Sequence, residues 1–133
     1  MKLLTNVQAK RLDRIALKKH CRTDHSLMKN AGRCVSNLAI SLLRKVKNPE
    51  ILVICGKGNN GGDGFAAALI LHEEGYSVFI HSVIPKKDLK SDERYFYKEC
   101  INTTVKITYG LIYNVKHEPG LIVDGLIGVG LQG

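Results

Sequence analysis

Residues 51–64 read Ile51-Leu52-Val53-Ile54-Cys55-Gly56-Lys57-Gly58-Asn59-Asn60-Gly61-Gly62-Asp63-Gly64. The first five residues are apolar and largely β-branched, which is typical of a strand buried on both faces of a parallel sheet. Five glycines follow within nine residues, so the strand is expected to lead into a tight glycine-rich turn. A helix is predicted directly after this turn, over Phe65–Glu74, and Gly75 is expected to end it.

Helical and strand patterns alternate along the rest of the chain. The other predicted helices are Thr5–Lys19, a segment from Ser26 that ends before Pro49, and Asp88–Cys100, and the other predicted strands are Tyr76–Ile84, Val105–Thr108 and Leu121–Val123. The strand at Val105–Thr108 is expected to be the more exposed one. This alternation predicts an α/β fold of the Rossmann-like type, a three-layer αβα arrangement with a doubly wound parallel sheet.

Size and charge limit the classes of protein that fit. The 133 residues are enough for one hydrophobic core, so we expect a single domain over residues 1–133. A net charge of +8 would suit a nucleic acid or an anionic membrane. The positive residues are spread over helices and a loop, however, without interleaved aromatic residues for base stacking. We therefore predict a solvated basic surface that binds neither nucleic acid nor membrane, and whose charge helps to attract an anionic nucleotide.

Cysteine spacing and the N-terminal sequence bear on the compartment. Cys21, Cys34, Cys55 and Cys100 form no C-x-x-C pair and have no zinc-ligand spacing, so reduced thiols in the core are expected. The N-terminal residues contain no apolar run typical of a signal peptide, and no segment approaches the ~20 apolar residues that span a bilayer. The predicted location is the cytoplasm.

The glycine-rich turn admits two interpretations. Gly56, Gly58 and Gly61 match G-x-G-x-x-G at the start of a helix, where backbone N–H groups and the helix dipole attract phosphate. The acidic residue that the dinucleotide-binding pattern requires at the end of the second strand is missing, and no Gly-Lys-Ser/Thr of a P-loop is present. The alternative is a structural turn in which an Asn or Asp caps the helix. The number of glycines at the end of a central strand favours ligand binding.

A second glycine-rich loop, residues 124–133, follows the last predicted strand. If the first and fourth strands are neighbours, both loops converge at the point where the winding of the sheet reverses, and Asp124 faces Asn60. Carboxylate, amide and carbonyl oxygens are hard ligands that suit a group I or II cation. The alternative is that Asp124 caps the turn that follows it, and the spacing does not decide between these interpretations.

Three blocks of sequence together resemble a known family. They are Ser26–Arg33 (SLMKNAGR), Val53–Gly64 (VICGKGNNGGDG) and Val123–Gly133 (VDGLIGVGLQG). In residue types, order and spacing they are similar to the N-terminal, YjeF-like domain of NAD(P)H-hydrate epimerases. The middle block is very specific.

The resemblance implies a function in repair of nicotinamide nucleotides, namely interconversion of the R and S forms of hydrated NADH and NADPH (NADHX and NADPHX). It implies that a potassium ion is held by Asn60 and Asp124. The partner it implies is an ADP- or ATP-dependent NAD(P)H-hydrate dehydratase, which is specific for the S form. The substrate-binding residues that it implies are Asn59, Asn60, Gly61, Gly62, Asp63, Gly128, Val129, Gly130, Leu131, Gln132 and Gly133.

The resemblance also implies that the chain covers about the front three-fifths of the family domain, and that the sheet is incomplete at its C-terminal end. Asp63 and Asp124 are the only carboxylates on the two loops, and neither is predicted to be catalytic. The alternatives are a nucleotide-binding module without catalysis and, less favoured, an NAD(P)-dependent oxidoreductase fragment. A sheet that ends at its fourth strand exposes an apolar edge, so poor solubility or a homodimer is expected.

Overall fold

The computed structural model of the chain describes residues 7–8, 11, 14–15, 24–111 and 118–128. Within these ranges the helices are α1 (Asp24–Leu43), α2 (Asn59–Glu73) and α3 (Ser91–Ile101), with a short 3-10 turn at Lys86–Asp88. The strands are β1 (Glu50–Cys55), β2 (Ser77–Ser82), β3 (Lys106–Tyr109) and β4 (Leu121–Gly125). The helix predicted over Thr5–Lys19 lies mostly outside the described residues.

All four strands are parallel and lie in the order β3-β2-β1-β4. The chain winds from β1 outward through β2 to β3, and then returns to place β4 on the other side of β1. The winding therefore reverses between β1 and β4, and these two strands are neighbours, as the convergence of the two glycine-rich loops requires. The predicted parallel α/β fold is confirmed.

The hydrophobic core lies between one face of the sheet and the three helices. Ile51, Val53 and Cys55 of β1 are completely buried in a cluster that includes side chains from α1, α2 and α3. Alternate residues point to the opposite face, where Leu52 is buried but Ile122 of β4 is 55% exposed. The described helices thus supply one of the two predicted helical layers. None of them has the length and apolar content of a transmembrane segment.

The apolar surface predicted for the helix after Ser26 is only partly buried. Met28, Ala39 and Leu43 lie in the core, whereas Leu38 and Leu42 are more than half exposed. Cys34 lies on the same exposed side of α1, so the prediction of core thiols is wrong for this residue. The prediction is confirmed for the other two described cysteines, and Cys21 lies outside the described residues.

Several predicted boundaries are wrong by a few residues. Helix α2 begins at Asn59 instead of Phe65, which places the Asn-Asn-Gly-Gly-Asp segment inside the helix and not in a loop. The segment predicted as a helix from Asp88 divides into the 3-10 turn and α3. Strand β4 continues through Gly125, so Asp124 is a strand residue paired in register with Ile54.

Candidate functional site

Helix α2 begins directly at the carboxyl end of β1. Its N-cap residue is Gly58, with φ at 87°, in a region of backbone conformation that favours glycine. No side chain caps the helix, so the interpretation in which an Asn or Asp supplies the cap is wrong. Asp63 lies one turn inside the helix. Backbone N–H groups of the first helical turn have no intrahelical acceptor, and the helix dipole makes this end attractive to anions.

The glycines of the turn are required by close packing of the backbone. A Cβ atom on Gly61 would overlap the carbonyl oxygen of Gly56, and a Cβ atom on Gly56 would overlap the backbone of Leu126. A Cβ atom on Gly62 would overlap the side chain of Met28 in α1. The absence of side chains therefore lets the β1–α2 turn contact both α1 and the segment after β4.

The β1–α2 turn and the segment after β4 are joined by hydrogen bonds. The N–H of Gly56 donates to the carbonyl oxygen of Gly125 at 3.0 Å. The side-chain Nδ2 of Asn60 donates to the carbonyl oxygen of Ile127, also at 3.0 Å. A Cβ atom on Gly128 would lie only 3.2 Å from the Cβ of Asn60. We call this contact between the two segments the switch-point junction; its convergence was predicted and is confirmed.

Asp124 lies beside the switch-point junction, and in the described part of the chain no hydrogen bond joins its side chain to Asn60. Its side chain is exposed, and Oδ1 accepts a hydrogen bond from the N–H of Leu126 at 2.9 Å. This is the turn-capping interaction that the sequence left open. Asp124 and Asn60 therefore bond to neighbouring backbone groups of one turn. The predicted binding residues from Val129 to Gly133 lie outside the described residues.

A residue that the sequence did not single out connects the turn to α3. Glu93 is 4% exposed. Its Oε1 accepts from the N–H of Gly58 at 3.1 Å, and its Oε2 accepts from the N–H of Lys90 at 3.4 Å. The second bond is half of a capping box, but Lys90 at the N-cap is not one of the hydroxyl or amide residues that signal this motif. That departure is why the capping-box pattern does not reveal Glu93 in the sequence.

Burial raises the pKa of the Glu93 carboxyl above its ordinary value of 4.5. The N–H groups of Lys90 and Gly58 and the positive charge of Lys57 oppose this effect, because each stabilises the carboxylate. An open cavity of about 160 Å³ adjoins this carboxyl and the N-terminus of α2. The residues that line it are Lys57, Gly58, Asn59, Asp88, Lys90, Asp92 and Glu93.

The oxygen donors of the junction come from two side chains. Asn60 donates through Nδ2 to Ile127, so its amide oxygen points away from that hydrogen bond. Asp124 caps the turn with Oδ1 and has a second carboxylate oxygen. Within the described ranges, no three His, Cys, Asp or Glu side chains are grouped so that they could hold a metal ion. The donors at the junction are thus amide and carboxylate oxygens.

Comparison with curated proteins finds relatives whose sequences align with nearly all of this chain. The NAD(P)H-hydrate epimerase of Elusimicrobium minutum is 27% identical over 100% of this chain and 63% of the relative. The NAD(P)H-hydrate epimerase of Rhodopirellula baltica is 32% identical over 97% of this chain and 53% of the relative. The bifunctional NAD(P)H-hydrate repair enzyme Nnr of Dictyoglomus turgidum is 31% identical over 99% of this chain and 26% of the relative. The chain therefore spans less than two thirds of these relatives.

The fold also matches a solved structure. The crystal structure of the yeast protein ynu0 superposes with a TM-score of 0.86, at 21% sequence identity, over 100% of this chain and 59% of the yeast chain. Residues 24–133 match the family described as "YjeF-related protein N-terminus". This range contains the whole sheet and both segments of the switch-point junction, and the chain belongs to the family of YjeF-related protein N-terminal domains.

Proposed function

We propose that the chain interconverts the R and S forms of hydrated NADH and NADPH, with the substrate bound at the switch-point junction. The observation that carries this proposal is the hydrogen-bonded contact of two glycine-rich segments between β1 and β4. Ligands of open α/β sheets bind at this position, outside the carboxyl ends of the strands. The names of the relatives from Elusimicrobium minutum and Rhodopirellula baltica, NAD(P)H-hydrate epimerase, supply the substrate class.

The substrate's pyrophosphate would lie at the N-terminus of α2. The backbone N–H groups of the segment Asn59–Gly61 and the helix dipole favour an anion there. A Cβ atom on Gly58 would meet nothing within 4 Å, so the approach to this N-cap is open. Lys57 and Lys90 add positive charge beside the carboxylates of Asp88, Asp92 and Glu93. Asp63 and the segment Gly128–Gly133 are the further binding residues of this proposal.

A potassium ion beside the junction is part of the proposal. The amide oxygen of Asn60 and the second carboxylate oxygen of Asp124 are hard donors, which suit a group I cation better than a soft metal. When bound, the ion would supply positive charge beside the segments that hold the anionic dinucleotide. Asn60 and Asp124 would also tie the ion to both sides of the junction, because Asn60 belongs to α2 and Asp124 to β4.

The chemistry concerns the hydroxylated carbon next to the ring nitrogen. The nitrogen lone pair forms a C=N bond as the hydroxyl takes up a proton and leaves as water, which gives an iminium-like cation. Water then adds to the other face of this carbon and gives up a proton. The protein's task is to hold the ring and to exchange one proton with the oxygen. We assign no catalytic residue among the described side chains.

The product of the reaction indicates the partner. The relatives called bifunctional NAD(P)H-hydrate repair enzymes combine repair functions in one chain. We propose that an ADP- or ATP-dependent NAD(P)H-hydrate dehydratase removes water from the S form that this chain supplies. Homodimerisation through the exposed edge at β4 and the cytoplasmic location stay predictions.

The proposed activity is tested by supplying R-NADHX and potassium to the purified chain and coupling the product to an S-specific dehydratase. Production of NADH should exceed the spontaneous rate. Asp124→Ala should lower kcat/KM by at least about tenfold, because it removes a donor and the cap of the turn. Glu74→Gln, a charge change at the exposed end of α2, is the matched control and should not change the rate. A wild-type rate equal to the spontaneous rate would contradict the proposed activity.

The second candidate is a binding module without catalysis. It is favoured by one observation: on the described part of the junction, Asp124 already uses one oxygen to cap the turn. Binding of the hydrate without turnover would identify this case. An oxidoreductase is not favoured, because β2 ends at Ser82 without an acidic residue that could hold a ribose hydroxyl.

A further inference from the structure

A second, larger cavity lies away from the switch-point junction, on the outer side of α3. It has a volume of about 460 Å³ and is formed by α3 and the 3-10 turn that follows β2. The residues that line it are Lys86, Lys87, Arg94, Tyr97, Lys98 and Ile101. Four of these six residues are cations, and we call this feature the basic cavity. Its volume is within the range of small-molecule sites, about 300–1,000 Å³.

The cations of the basic cavity are not held in ion pairs, although Asp88 and Glu99 are their neighbours in the sequence. Among the residues that the structure describes, none of the four cations forms an ion pair with a carboxylate. Arg94 and Lys98 are four residues apart on α3, so their side chains extend from the same side of the helix. Four like charges close together raise the local positive potential and favour a compact ligand with several negative charges.

Ordered backbone supports these cations. Arg94 Nη2 donates to the carbonyl oxygen of Lys87 at 3.2 Å, which ties α3 to the 3-10 turn. Leu89, directly after the 3-10 turn, is completely buried. Before the turn, Ser82 Oγ donates a hydrogen bond to the carbonyl oxygen of Ile84 at 2.8 Å. The segment that carries the lysines is therefore fixed at both ends, which lowers the entropic cost of binding.

The floor of the basic cavity is apolar. The Tyr97 ring lies beneath Lys86, whose Nζ is 6.0 Å from the ring centre. Ile101 is 45% exposed at the other end of the cavity. The aliphatic stems of the lysines add to this surface. A ligand that fits would combine phosphate groups, which Arg and Lys recognise, with an apolar or aromatic part.

We propose that the basic cavity binds a small phosphorylated molecule of the nucleoside diphosphate class. The phosphates would contact the cations contributed by α3 and the 3-10 turn, and the base or sugar would cover Ile101 and the lysine stems, because Tyr97 is only 4% exposed. This site shares no residue with the switch-point junction, and the proposal does not depend on the epimerase activity.

The test is calorimetric titration of the full chain with ADP, inorganic pyrophosphate and adenosine at an ionic strength of about 0.15 M. We expect ADP and pyrophosphate to bind, and adenosine to bind at least about tenfold more weakly than ADP. The double variant Arg94→Glu/Lys98→Glu should weaken ADP binding by at least about tenfold, because two charged contacts become repulsive. ADP that binds more tightly than pyrophosphate identifies a nucleotide, and equal affinities identify free phosphates as the ligand.

The matched control is Lys45→Glu/Lys47→Glu, the same change in net charge on the exposed segment after α1. It should change the affinity for ADP by less than about twofold. Lys98→Glu alone serves if the double variant does not fold, since Lys98 makes no hydrogen bond within the described structure. Equal weakening by both double variants, or undiminished ADP binding to Arg94→Glu/Lys98→Glu, overturns the proposal. If Asn60→Ala abolishes ADP binding and Arg94→Glu/Lys98→Glu does not, the nucleotide binds at the junction, and the proposal is overturned as well.

Discussion

Replacing Gly61 with alanine is expected to lower the free energy of unfolding by about 1–3 kcal/mol. The added methyl group would overlap the carbonyl oxygen of Gly56, and Oε1 of Glu93 lies 3.1 Å from its position. The backbone of the β1–α2 turn would have to move, because the carbonyl group cannot rotate away as a flexible side chain can. Helix propensity alone predicts the opposite sign, a gain of about 1 kcal/mol on replacing glycine with alanine inside a helix.

Urea-induced unfolding of the purified chain measures this effect. Asn59→Ala is the matched control, because Asn59 lies on the same helical turn but is exposed. That variant should be neutral or slightly more stable, as propensity predicts. Gly61→Ala with the stability of the wild type, or a higher one, would mean that the turn is not packed as tightly as the contact with Gly56 indicates.

Replacing Glu93 with alanine should destabilise the chain by about 2 kcal/mol. The change leaves the N–H groups of Gly58 and Lys90 without the acceptor that they have in the wild type. Removing a buried carboxylate also relieves its desolvation cost, which keeps the loss below the sum of two charge-assisted hydrogen bonds. Because Gly58 precedes α2, the substrate KM should rise as well. Thermal unfolding and epimerase kinetics measure the two effects, and unchanged values for both would refute the role of Glu93.

The Glu93→Gln variant separates the charge from the hydrogen bonds. Burial raises the pKa of the Glu93 carboxyl above 4.5 in the folded chain, so the folded chain binds this proton more readily than the unfolded chain does. The stabilisation from this proton is complete below pH 4.5 and is lost as the pH rises through the folded-state pKa. The stability of the wild type relative to Glu93→Gln should therefore fall with rising pH over this window. A difference that is constant with pH would contradict the raised pKa.

Much of the sheet could be predicted from the sequence. The continuous apolar run of β1 needs burial on both faces, which a central strand of a parallel sheet provides. The order β3-β2-β1-β4 follows from the rule that doubly wound sheets reverse beside their first strand. The convergence of the two glycine-rich segments depended on that order alone, which is why it was predicted before any distance was known.

The start of α2 could not be predicted, because local propensity and tertiary packing disagree there. Asn59, Asn60, Gly61 and Gly62 are poor helix formers. They are helical because α1, β1, α3 and the segment after β4 approach this turn so closely that larger side chains would overlap their neighbours. Packing partners that are distant in the sequence decide such cases. For the same reason the role of Glu93 could not be predicted, because its hydrogen-bond partner Gly58 is 35 residues away in the sequence.

The exposed side of α1 was mispredicted for a related reason. Periodicity shows which residues share a helix face, but it does not show how much of that face a neighbouring element covers. Met28 is buried against Gly62 of α2, whereas Leu38 and Leu42 are more than half exposed. The width of a buried stripe thus depends on the neighbouring helix.

The most direct test of the central claim follows the backbone amides of the full chain by NMR during titration with NADHX. We expect the largest shifts at Asn59, Asn60 and Gly61 and at Leu126–Gly128, on the two sides of the switch-point junction. This result is independent of turnover, so it holds for an epimerase and for a binding module. Shifts confined to the basic cavity, or no shifts at saturating hydrate, would contradict the assignment of the junction as the dinucleotide site.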